Sequence, residues 1–146
     1  MVKRIIRQFI KSINPDYKVY KNRYWSSDWQ NGKIWIPKPY KNYLDISDIY
    51  FKYFLIEKYN ISSNLYIISI LHEIGHLQTE TQELSDERAM IYATLEWQYE
   101  NKMINEEQYN KQYFEIPAEK LATEWAIDYY KNNSKTIDKL IKDLKI

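Results

Sequence analysis

The chain has 146 residues, of which 45% are hydrophobic and 16% aromatic, and Lys plus Arg (21) nearly balance Asp plus Glu (20). That length makes one domain, residues 1–146, with a buried core of its own. A net charge of +1 supplies no field that would draw nucleic acid, and the absence of cysteine excludes disulfides, zinc ribbons and thiol nucleophiles and fits a reducing, cytoplasmic setting.

Residues 1–14 open the chain with Val2, Ile5, Ile6, Phe9, Ile10 and Ile13 at helical spacing, while Lys3, Arg4, Arg7 and Lys11 lie mostly off that stripe. This predicts an amphipathic helix packed on the domain and ended by Asn14-Pro15. It is not a signal peptide, because charges interrupt it, and no apolar run approaches the ~18 residues of a membrane span. Residues 17 to 40 read as a small antiparallel sheet. Tyr17 to Tyr20 alternate weakly, Asn31-Gly32 is a hairpin signal, and Lys33-Ile34-Trp35-Ile36 is a strand. Pro37 and Pro39 suit an edge position for it.

Helical patterns fill the rest. Ser47 or Asp48 is expected to cap a helix running to about Lys58, and Ser62 or Ser63 one running to about Gln78. Residues 79 to 84 are polar and read as a loop before a helix from Ser85 to about Lys102. Asn105 caps a short helix, Pro117 fits the first position of another reaching about Tyr130, and Asn132 to Ser134 break the chain before a last helix, Ile137 to Leu144. The class is α+β: a small N-terminal sheet, then a helical bundle.

The chemistry concentrates in His72-Glu73-Ile74-Gly75-His76. On a helix, positions four apart are separated by about 40° in projection, so the two imidazoles share a face. They can bind one zinc ion, and Glu73 beside them can polarise a water on it. Two histidines are all the chain has; chance spacing of four, with Glu directly after the first, is roughly a one-in-a-thousand event for a motif of known mechanics.

A catalytic zinc usually takes three protein ligands and a water. No third His or Cys exists, and no Gly follows Gly75, which leaves a carboxylate. The best candidate is Glu119, in Pro117-Ala-Glu-Lys-Leu-Ala-Thr-Glu-Trp-Ala126. Glu119, Ala122, Thr123 and Ala126 share one face, whose small residues let that helix approach the histidine helix, and Gly75 offers a matching thin spot. Glu80, Glu83 and Glu87 are too near the histidine helix to return to its metal face.

These residues resemble the gluzincin metallopeptidases, in which a downstream helical glutamate completes an H-E-x-x-H site. Glu119-x-x-Ala122-Thr123-x-x-Ala126 looks like their E-x-x-A-[D/N]-x-x-A helix. Size, small sheet and the H-E-x-G-H spelling look most like the ImmA/IrrE-type proteins of phages and mobile elements. The resemblance covers about residues 65 to 130. It implies a zincin-like fold, zinc ligands at His72, His76 and Glu119, and a general base at Glu73. It places Thr123 where relatives carry an Asp or Asn that steadies a ligand histidine, so that a hydroxyl replaces a carboxylate. It further implies an edge strand that pairs with an extended substrate, here Ile34, Trp35 and Ile36. An oxyanion-stabilising Tyr would be Tyr129 or Tyr130.

The expected function is therefore hydrolysis of a protein or peptide by a zinc-activated water, with one zinc per chain. The rivals are a zincin-like module that binds a partner protein, such as a regulator, with little or no proteolysis, and a structural zinc domain needing a fourth protein ligand. The substrate and the oligomeric state are not written in the sequence.

Overall fold

The computed structural model describes residues 2–38, 46–61 and 64–145. Its order is helix α1 (Val2–Ile13), strands β1 (Lys18–Lys21), β2 (Ser26–Asp28) and β3 (Lys33–Ile36), then helices α2 (Ile46–Tyr59), α3 (Leu65–Thr79), α4 (Gln82–Glu100), α5 (Glu106–Glu115), α6 (Pro117–Asn132) and α7 (Ser134–Leu144). The class is α+β, as expected. No helix is long and apolar enough to cross a membrane among the described residues.

The sheet differs from the expectation. Its order is β1-β3-β2, with β1 parallel and β2 antiparallel to β3. The polar Ser26-Ser27-Asp28 carries no strand signal, yet it takes the hairpin position opposite β3 across Asn31-Gly32. Ser27 pairs with Ile34 and Asp28 with Lys33. Gly32 has a positive φ of 62°, which glycine adopts without steric cost. With one side of β3 so occupied, β1 joins the other side in parallel, Val19 opposite Ile34. The sheet is therefore mixed, and Ile34, Trp35 and Ile36 lie on its central strand rather than at an edge. Pro37 follows the last residue of β3 and interrupts no ladder; Pro39 lies outside the described residues.

One face of the sheet is apolar. Val19, Ile34 and Ile36 point into the core, whereas Tyr20 and Trp35 stack on the other face with ring centroids 5.7 Å apart. The inner face meets Ile6, Phe9 and Ile10 of α1, Ile67, Ile70, Leu71 and Ile74 of α3, and Ile137, Leu140 and Leu144 of α7. Each fully buried Ile or Leu is worth about 1.5–3 kcal/mol of apolar transfer, so the apolar stripe of α1 is committed to this core. A second cluster joins Phe51, Phe54 and Leu55 of α2 to Ile68 of α3, Phe114 of α5 and Ile127 of α6.

Helix starts follow local capping chemistry. Asn64, not Ser62 or Ser63, caps α3 by accepting from the Ile67 amide; the two serines lie outside the described residues. Ser47 and Asp48 fall within α2 rather than before it. Thr81 caps α4, accepting from Leu84 N, so of the stretch expected as a loop Thr79 ends α3, Gln82 to Leu84 begin α4, and only Glu80 and Thr81 connect them. Asn105 and Gln108 form a reciprocal capping box on α5, and Pro117 opens α6 as expected.

The closest helix pair is α3 and α6. A Cβ placed on Gly75 would stand 2.4 Å from the backbone oxygen of Ala122 and 2.9 Å from its Cα. Ala122, Thr123 and Ala126 are fully buried along the same line. The thin spot expected at Gly75 is the point where these two helices touch, backbone to backbone.

Candidate metal centre

Asn64 starts α3 and its buried stripe runs from Ile67 to His76, so His72 and His76 project from adjacent turns of one face. Pro117 starts α6 two residues before Glu119, and the Gly75–Ala122 contact brings that glutamate against the histidines. The Nε2 atoms of His72 and His76 each lie 2.9 Å from Glu119 Oε2 and 3.2 Å from one another. All three residues are buried. Two nitrogens and one carboxylate oxygen form a set able to hold a metal ion. Ligands about 2.05 Å from one centre in a tetrahedron are about 3.3 Å apart, slightly wider than these separations. The donor set and its spacing fit a zinc ion with three protein ligands.

The remaining imidazole nitrogens are occupied. Thr123 Oγ1 donates to the backbone carbonyl of Glu119 at 3.0 Å. Its single proton is thereby committed, so toward His72 Nδ1, 3.0 Å away, the hydroxyl acts as acceptor. His72 then carries a proton on Nδ1, and Nε2 is the ring nitrogen that faces Glu119. Glu80 Oε2 accepts from His76 Nδ1 at 2.9 Å with the same effect. Glu119 Oε1, the oxygen turned away from the histidines, accepts from the Tyr113 phenol at 3.0 Å.

Charge at the site is strongly coupled. Burial opposes a charged His76, but the Glu119 carboxylate, hydrogen bonds to Glu119 and Glu80, and the Glu73 charge outweigh it and push its pKa up to about 10. Burial likewise opposes ionised Glu119, yet the His76 charge and the hydrogen bonds from both histidines hold its carboxyl well below the usual range. In the metal-free protein an imidazolium thus takes the role of countercharge. Burial, then the charge of Glu119 and the hydrogen bond to it, raise the Tyr113 phenol well above its ordinary value.

A cleft of about 580 Å³ opens over these groups, and Glu73 and Ser27 line it together with Phe51, Tyr92, Tyr113 and Phe114. Glu73 makes no hydrogen bond to the protein among the described residues; it faces the cleft beside the two histidines. Tyr129 and Tyr130 do not reach it. Tyr129 stacks on Trp125 at 5.3 Å and meets Phe9 edge-on at 6.1 Å, and Tyr130 packs between the two core clusters. Of the tyrosines lining the cleft, Tyr113, six residues before Glu119, is the one hydrogen-bonded to that glutamate.

Arg88 and Tyr113 went unrecognised in the sequence, and Glu80, set aside there as a ligand, takes a supporting place instead. Glu80 follows α3 in extended conformation (φ −73°, ψ 143°), which turns its side chain back onto the last turn of the helix. The signal for it was its spacing of four from His76. Compared with protein-family models, curated proteins and solved structures, the chain finds no match.

Proposed function

We propose that this chain is a zinc-dependent metallopeptidase of the gluzincin type. The observation that carries the reading is the convergence of His72, His76 and Glu119 on one point, with the free carboxylate of Glu73 beside it at the floor of an open cleft. A structural zinc site would need a fourth protein ligand, and among the described residues no further His, Asp or Glu joins the cluster.

A zinc ion held by these three residues would supply Lewis acidity, lowering the pKa of a water towards neutrality and polarising a scissile carbonyl. The protein's own groups do the rest. Glu73 takes one proton from the attacking water as the C–O bond forms and then delivers it to the leaving amine, so that the C–N bond breaks. Thr123 and Glu80 hold the two imidazoles through Nδ1, and Tyr113 holds Glu119 through Oε1. Thr123 stands where relatives in the resembling family carry Asp or Asn, and its hydroxyl makes the hydrogen bond such a residue would make.

The sheet offers an extended substrate β2 rather than β3. Among the described residues the strand Ser26–Asp28 pairs with β3 alone, and Ser26 and Ser27 line the cleft. A peptide added along β2 by main-chain pairing would run past Glu73.

The test is metal analysis of protein prepared in metal-free buffer and reloaded with zinc, alongside turnover of an unstructured protein substrate. One zinc per chain and cleavage abolished in Glu73→Gln is the expected result. A chain that takes up no zinc would overturn the reading.

A further inference from the structure

Arg88, on α4, is the one guanidinium or ammonium group gathered into the centre among the described residues. Its Nη1 lies 3.2 Å from Glu80 Oε2 and 3.5 Å from Glu119 Oε1, and its Nη2 lies 2.8 Å from Glu80 Oε1. The last approach is ionic, without hydrogen-bond alignment. Among the described residues no other Arg and no Lys comes within ion-pair distance of Glu80 or Glu119. Exposed ion pairs contribute little, but the Glu80 and Glu119 side chains are only 2% and 3% exposed, and buried carboxylates need a partner. The charges also close. Glu73, Glu80 and Glu119 carry three negative charges, which a divalent metal and one guanidinium cancel.

We propose that Arg88 is a positioning residue of the metal centre: through Glu80 it fixes the ring of His76, and at Glu119 Oε1 it turns that carboxylate so that Oε2 alone faces the histidines. This rests on the metal-binding reading given above. The planar fork is suited to the task, because it addresses two carboxylates at once where an ammonium is a point charge. It also ties α4, which has a single buried residue, Leu95, to ligands carried by α3 and α6.

The experiment compares Arg88→Met, Arg88→Lys, Glu80→Gln and the Arg88→Met/Glu80→Gln pair with the wild-type chain. Zinc affinity is read by chelator competition and ligand geometry from the visible spectrum of the Co²⁺-substituted protein. Arg88→Met is expected to weaken zinc by about 10–100-fold and to change the cobalt spectrum. Arg88→Lys is expected to recover part of the affinity but not the spectrum. In the Glu80→Gln background Arg88→Met is expected to cost less than in the wild-type chain, because its route to His76 is already cut and only its contact with Glu119 remains. Unchanged zinc affinity and cobalt spectrum in Arg88→Met, or additive effects in the pair, overturn the proposal while leaving the metal site intact. A wild-type chain that binds neither ion overturns both readings. Should Arg88→Met not fold by circular dichroism, a wild-type cobalt spectrum in Arg88→Lys overturns the assignment.

Discussion

Thr123 Oγ1 stands 3.0 Å from His72 Nδ1 while its own proton is given to the carbonyl of Glu119. One hydroxyl thereby links His72 on α3 to the backbone beside Glu119 on α6, and it sets which nitrogen of His72 is free. Thr123→Val keeps the shape and removes the acceptor, stranding a buried N–H. Zinc affinity is expected to fall about 10–100-fold with the fold retained, and Thr123→Ser to restore most of it. Chelator competition on the two variants measures this; a Val variant as tight as wild type would remove Thr123 from the site.

Glu73→Gln removes the proton acceptor and leaves every metal-binding atom in place. Turnover is expected to drop by about 10²–10⁴-fold, the usual contribution of a general base, with zinc content unchanged. An active Gln variant would count decisively against the proposed chemistry.

His72→Ala and Glu119→Ala each delete a ligand atom from a three-residue set. Both proteins are expected to lose zinc in elemental analysis and to lose turnover with it. Retention of one zinc per chain in either would place the ion elsewhere.

Gly75→Ala inserts a methyl group 2.4 Å from a backbone oxygen. No rotamer change relieves that contact, so α3 and α6 must separate. Destabilisation at or above the about 1–3 kcal/mol of an overpacked core is expected, together with weakened zinc binding. Because the clash is with main-chain atoms of Ala122, Ala122→Gly is not expected to rescue it. Denaturant unfolding of the single and double variants decides.

The metal-free protein has a pH dependence of definite sign. His76 is raised from 6.5 to about 10, so its contribution is complete below pH 6.5 and is lost as pH climbs towards 10. Glu119 is lowered from 4.5, so its contribution is complete above that pH and is lost on further acidification. The chelator-treated protein should therefore melt highest between about pH 4.5 and 6.5. Zinc competes with the proton on His76, so the gain in melting temperature on adding zinc is expected to widen as pH rises. A gap that narrows over pH 6.5 to 9 contradicts this coupling.

What could be read from the sequence was what repeats locally. The i, i+4 spacing of His72 and His76, the small-residue face of α6 and the glycine of α3 are all properties of a single helix, and they led to Glu119 across 43 residues. What escaped lay between elements. Ser26–Asp28 is a strand because β3 offers it hydrogen bonds, not because serine and aspartate favour strands. Missing it placed β3 at an edge and made the sheet antiparallel. Glu80 lies too near the histidine helix to reach the metal face itself. Its carboxylate needs only to reach the back of His76, which its backbone conformation allows. Arg88 and Tyr113 are ordinary helix residues until α4 and α5 pack against α6.

At the contact of Gly75 with Ala122 no side chain stands between the helix of His72 and His76 and the helix of Glu119. Their separation is consequently a matter of bond lengths and van der Waals radii, not of rotamer choice. A lever with no play transmits whatever moves either end: a shift of α6 along its axis carries Glu119 with it by the same amount. Tuning this centre to a larger ion would mean changing the chain at the crossing point, since exchanging the side chains around the ion cannot widen a gap fixed by the main chain.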